Sequence, residues 1–195
     1  PKTTANRLGV SPLLTSENIV VSAGDRVLVT GPSGAGKSTL FRAIAGIWSF
    51  GAGRIEVPKN ARLMLLPQRS YFAIGTLAAA LAYPAEPGAF DANRLSAVLS
   101  AVGLPALGLR LNEEAHWNRM LSPGEQQRLG IARALLQAPD YLFLDEATAS
   151  LDEPSELTLY RLLQARLTAT TIVSIGHRAT LNAFHRRALT LIRDG

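Results

Sequence analysis

The sequence contains no cysteine, which excludes disulfides, thiolate zinc sites and thiol catalysis. No apolar run approaches the ~18 residues that a membrane-spanning helix needs, so this stretch is expected to be soluble by itself. Pro1–Val10 lack the apolar centre of a signal peptide. Acids are outnumbered, 15 Asp+Glu against 20 Lys+Arg, which leaves a net charge of +5. A basic balance suits nucleic acid or a membrane surface, but the arginines are scattered and form no block or stripe, so charge alone selects no partner. What the chain has in quantity is hydrophobic residues, 47% of 195. It is therefore neither disordered nor fibrous, and it is long enough for one domain with a buried core.

Short apolar runs alternate with helix-like stretches. Arg26–Thr30, Arg62–Leu66, Tyr141–Asp145 and Thr171–Ile175 read as strands. Lys37–Ala45 reads as a helix, and Leu159, Leu163 and Leu167 recur at helical spacing. This alternation predicts an α/β layer fold with a mainly parallel sheet. Gly75–Ala82, Asp91–Val102 and Ser122–Gln137 also read as helical, with Pro84, Pro87 and Pro105 punctuating loops. The expected organisation is a single domain over 1–195, with a core of about 1–67 and 138–195 and an inserted helical subdomain of about 68–137. Arg193–Gly195 look like part of a late strand, as in a piece of a longer protein.

Gly31-Pro32-Ser33-Gly34-Ala35-Gly36-Lys37-Ser38-Thr39 matches G-x-x-x-x-G-K-[ST] and lies between a strand and a helix. Glycines there let backbone N–H groups turn inward around phosphate oxygens. Lys37 supplies charge for the β- and γ-phosphates, and the Ser38 hydroxyl can ligate Mg²⁺. The alternative is a glycine turn that only caps a helix. Tyr141–Glu146 ends an apolar strand in two acids. Beside a phosphate loop, Asp145 can hold Mg²⁺ and Glu146 can orient or deprotonate water. The competing reading is an acid capping the next helix.

Leu121-Ser-Pro-Gly-Glu-Gln-Gln-Arg128 resembles the L-S-G-G-Q signature of ATP-binding cassette (ABC) ATPases, with Pro123 and Glu125 as departures. Gln68 falls where that family has its Q-loop glutamine, Ala149–Asp152 resembles its D-loop, and His177 its switch histidine. The resemblance covers nearly the whole chain. It implies a P-loop NTPase (RecA-like) core, ATP and Mg²⁺ as ligands, and ATP hydrolysis. It also implies a head-to-tail dimer of two copies, in which Ser122, Gly124, Glu125 and Asp152 of one face the nucleotide of the other. Gln68 would join Ser38 and Asp145 at the metal, while Glu146, His177 and Lys37 would be catalytic. Ser122, Pro123 and Glu125 also fit a helix cap with a capping box, and the two readings are compatible. His116 and His185 have no comparable context and read as structural or surface residues.

Leu66–Tyr71, Gly75–Leu77, Tyr83-Pro84 and Ser174–Arg178 resemble the peroxisomal fatty-acyl-CoA transporter branch, the D subfamily. They also resemble bacterial fused permease-ATPases related to peptide and vitamin B12 uptake proteins. That branch implies a membrane domain preceding Pro1, homodimerisation, and a place on the cytoplasmic face of a bacterial inner membrane. No aromatic precedes Phe41 to stack on adenine. Tyr83 matches the stacking tyrosine of the branch; packing within its own subdomain is the alternative. Two other functions compete with the transporter engine: a soluble ABC ATPase acting on nucleic acid or ribosomes, and a phosphotransferase. Cargo is not legible, with hydrophilic solutes such as peptides or cobalamin and fatty acids or their CoA esters both open.

Overall fold

Aliphatic and β-branched segments build the sheet of the computed structural model, which describes residues 19–50 and 53–192. In chain order the strands are β1 (Arg26–Thr30), β2 (Leu63–Leu66), β3 (Gly75–Thr76), β4 (Glu114–Ala115), β5 (Tyr141–Asp145), β6 (Thr171–Ile175) and β7 (Arg187–Thr190). Five of them form one sheet in the order β2-β5-β6-β1-β7, and every pairing in it is parallel. Strands of a parallel sheet are covered on both faces, and all five residues of β6 are accordingly buried.

The helices are α1 (Lys37–Ile44), α2 (Leu77–Ala82), α3 (Ala92–Ala101), α4 (Trp117–Met120), α5 (Pro123–Gln137) and α6 (Glu153–Arg166). Alternation along the strands separates two apolar faces. Val27, Val29, Phe143 and Val173 meet Phe41 of α1 on one side. The Phe41 and Phe143 rings pack edge to face at 5.2 Å. Leu28, Leu142, Leu144 and Ile172 look the other way, toward Leu129 and Ile131 of α5 and Leu159 and Leu163 of α6.

The segment between β2 and β5 holds α2 to α5 and the antiparallel β3–β4 ribbon. Side-chain caps start α2 and α3: Thr76 accepts from the Ala79 N–H at 3.2 Å and Asp91 from the Arg94 N–H at 2.8 Å. Trp117 is fully buried and donates its indole N–H to the Gly75 carbonyl at 2.9 Å. Gly130 lets α5 approach the chain leaving β2, since a Cβ there would fall 2.9 Å from Ser70 Oγ.

Two local expectations change. Gly75–Ala82 is not all helix: Gly75 and Thr76 pair with Ala115 and Glu114, and the helix begins at Leu77. Gly75 has φ 146, a left-handed value that a helix cannot use. A late strand exists at Arg187–Thr190, paired with β1, whereas the strand expected at Arg193–Gly195 lies outside the described residues, as does Pro1–Val10. Because the large sheet is parallel, the exits of β1, β2, β5 and β6 share one edge, where open α/β sheets bind ligands.

Candidate nucleotide site

At that edge the phosphate-loop motif joins β1 to α1. Gly31 is required by crowding: it has φ 138, and a Cβ would sit 2.3 Å from the Leu191 carbonyl oxygen. Gly36 precedes α1 in the left-handed region at φ 87 and provides no side-chain cap. The first N–H groups of α1 are therefore left for a ligand from outside the helix. Lys37 is buried, and its ammonium donates to the Gly31 and Pro32 carbonyls at 2.8 and 2.9 Å. Pro32, Ser33 and Gly34 are exposed, whereas Ala35 is buried against the sheet.

Ser38 and Asp145 are 107 residues apart in the chain and meet here, the hydroxyl donating to Asp145 Oδ1 at 2.8 Å. Burial pushes the Asp145 carboxyl above its ordinary range. The Ser38 hydrogen bond opposes this, Glu146 adds to it, and Arg42 and Lys37 oppose it more weakly. An oxygen pair of one hydroxyl and one carboxylate suits Mg²⁺, which keeps several waters and takes its other ligands from substrate phosphates. Among the described residues no three His, Cys, Asp or Glu side chains cluster as a self-sufficient metal cage. Gln68 is exposed just beyond the end of β2, the strand that pairs with β5.

Glu146 follows β5 with φ 51, an uncommon backbone for a residue with a Cβ, of the kind that gathers at functional sites. Its N–H is held by the Ile175 carbonyl at 3.2 Å. Its Oε1 lies 3.0 Å from His177 Nε2, and the imidazole is half exposed.

Ser122 is exposed at the start of α5. It accepts the Glu125 N–H at 3.3 Å, while Glu125 Oε2 accepts from the Ser122 N–H at 2.8 Å and hydroxyl at 2.7 Å. This is the expected capping box. The hydrogen bonds from Ser122 hold the Glu125 carboxyl below its ordinary range. Gly124 lies against the loop before α6, where a Cβ would come 3.2 Å from Leu151 Cδ2. Asp152 is exposed and caps α6 by accepting the Ser155 N–H at 3.2 Å.

Tyr83 is 62% exposed beyond the end of α2. Its ring centre is 5.5 Å from the guanidinium carbon of Arg133, in the half of α5 away from Ser122. Arg133 is itself buried and donates to the Ala80 and Tyr71 carbonyls at 2.6 and 2.8 Å. The Arg133 contact is what subdomain packing requires, and the exposed part of the ring is what a stacking role requires.

The ABC transporter family model matches residues 14–149. This chain belongs to the ABC transporter family. It is an ATP-binding domain of that family, whose members are ATPases that power transport. It is 46% identical over 178 residues to an uncharacterized ABC transporter ATP-binding protein of Haemophilus influenzae, covering 91% of this chain and 30% of the relative. It is 36% identical to the lysosomal cobalamin transporter ABCD4 of Homo sapiens, covering 94% and 32%. Among solved structures, a bacterial Atm1-family ABC exporter with ATP bound superposes with a TM-score of 0.76 at 32% identity, covering 88% and 32%. The chain thus spans about a third of the length of the relatives it matches. No described helix is long and apolar enough to cross a membrane.

Sequence reasoning missed two supporting groups. Arg178 donates to Glu156 Oε2 at 3.1 Å and to the Leu151 carbonyl at 2.7 Å, and Thr148 donates to Glu156 Oε1 at 2.6 Å. They tie the residue after His177 to the loop carrying Asp152. Gln127 is the other. Its signal was available, because it shares the α5 stripe of Gly130, Ile131 and Ala134, where a polar residue requires partners.

Proposed function

We propose that the chain binds ATP–Mg²⁺ at the carboxyl edge of its sheet and hydrolyses it to drive a membrane transporter. The observation that carries this reading is the pairing of two contacts at one edge: Ser38 with Asp145 at 2.8 Å, and Glu146 with His177 at 3.0 Å. Backbone N–H groups of 34–39 and the Lys37 ammonium bind the phosphates. Ser38, Asp145 and Gln68 hold Mg²⁺, which would neutralise charge developing on the β- and γ-oxygens. Glu146 orients the attacking water and accepts its proton, and His177 holds the carboxylate and the γ-phosphate in register.

A second copy would complete the site with Ser122, Gly124, Glu125 and Asp152. In support, Ser122 is exposed and opens a 15-residue helix whose positive end suits a phosphate. ATP would favour the closed pair only through its higher affinity for that state, and hydrolysis would remove the preference. The rest of the protein would supply a membrane domain, in keeping with relatives about three times longer. The proposed place is the cytoplasmic face of a bacterial inner membrane; similarity to proteins of Haemophilus influenzae and Synechocystis supports the bacterial source. No observation favours the alternative acting on nucleic acid.

The experiment is turnover by Glu146→Gln. Its kcat is expected to fall by roughly 10²–10⁴-fold with ATP affinity retained. Full turnover would remove Glu146 from the reaction.

A further inference from the structure

Gln127 lies five residues beyond the Ser122 cap and is only 3% exposed. Its Nε2 donates to the Gln68 carbonyl at 3.1 Å and to the Glu146 carbonyl at 3.4 Å. Its Oε1 accepts the Ser150 N–H at 2.8 Å. The orientation of the amide follows from its partners, since the carbonyls only accept and the backbone N–H only donates. One buried side chain therefore joins three backbone segments: the exit of β2, the exit of β5, and the loop before α6.

Packing alone does not require an amide there. Its neighbours on the same stripe, Gly130, Ile131 and Ala134, are small or apolar and buried. A buried amide is favourable only where its polar atoms are matched, and here both ends are. The effect on Glu146 is specific. The Glu146 N–H is held by the Ile175 carbonyl and its C=O by Gln127, on either side of a residue with φ 51. Fixing both peptide groups fixes the direction in which the carboxylate leaves the chain, toward His177.

We infer that Gln127 is a positioning residue for hydrolysis. It orients the Glu146 carboxylate through the backbone, and it makes the loops of Gln68, Glu146 and Ser150 move as one body. The inference rests on the reading of Glu146 as the group that activates water. The side-chain hydrogen bonds of Gln127 go to Gln68, Glu146 and Ser150 and not to 31–39, so its loss is expected to act on the rate of the reaction and leave ATP binding alone.

The test is steady-state ATP hydrolysis by the full-length protein carrying Gln127→Glu or Gln127→Met. Gln127→Glu turns an oxygen toward the two carbonyls and keeps the Ser150 acceptor. Gln127→Met keeps the volume and removes all three hydrogen bonds. Both are expected to lower kcat by about 10–100-fold, with the KM for ATP within about twofold of wild type. A kcat within about twofold of wild type in both variants overturns the inference. So does a loss of ATP affinity that matches the loss of kcat, and so does failure of both variants to fold, which would make Gln127 a residue of stability. Glu146→Gln, measured alongside, separates the two readings: if it retains turnover, the assignment of Glu146 fails, and Gln127 is judged on its own split between kcat and KM.

Discussion

His177 Nε2 lies 3.0 Å from Glu146 Oε1 although 31 residues separate them. They meet because β5 and β6 are parallel neighbours whose last paired residues are Asp145 and Ile175, so one chain step from the first and two from the second reach the same point. His177→Ala is expected to lower kcat by about 10²-fold while nucleotide affinity is kept. His177→Gln, which preserves a donor toward Glu146, should recover part of that loss. Equal kinetics for the alanine variant and wild type would show that the contact is incidental.

Asp145 links stability to function. Burial raises its pKa, so the folded state holds the proton to higher pH than the unfolded chain does. Without metal, stability should therefore fall as pH rises from the ordinary carboxylate range through the raised value. Asp145→Asn removes that penalty and keeps an oxygen for the Ser38 hydroxyl. Its thermal midpoint at pH 7 should rise above wild type in EDTA, while Mg²⁺-dependent turnover is lost. A lower midpoint would contradict the electrostatic account.

The cap of α5 carries the opposite sign. Hydrogen bonds from Ser122 depress the Glu125 pKa, so their stabilisation is present above the ordinary carboxylate range and disappears as pH falls through the depressed value. Ser122→Ala should cost about 1 kcal/mol at neutral pH by chemical denaturation. The cost should shrink in acid. A pH-independent difference would mean that Glu125 takes no part in the cap.

Tyr83 lies over Arg133 and is 62% exposed; if the contact with Arg133 is its whole role, Tyr83→Ala is expected to leave ATP affinity within about twofold of wild type by titration. A tenfold or greater loss would establish the adenine-stacking role implied by the D-subfamily resemblance.

Much of the sheet was legible because its strands are short, aliphatic and buried on both faces; the bounds expected for β1, β5 and β6 match the structure. The phosphate-loop motif and the two acids at the end of β5 were legible because each is contiguous and adjoins or ends a strand. Gln127 and Arg178 were not, because their meaning lies in carbonyls brought from distant segments. The β3–β4 ribbon was hidden for a related reason: two-residue strands carry no periodicity, and only the partner across the ribbon defines them. The contact of Tyr83 with Arg133 was not legible because the two lie 50 positions apart.

In the proposed assembly one copy clasps ATP at its phosphate loop while the α5 tip of a second copy closes over it. The absence of cysteine from these 195 residues gives a clean background for a crosslink. Full-length protein carrying Glu146→Gln together with Ser33→Cys and Ser122→Cys, with any cysteine elsewhere replaced, should form an intermolecular disulfide with ATP and Mg²⁺ and little without them. Protein that stays uncrosslinked under both conditions, or crosslinks equally without nucleotide, would contradict the account.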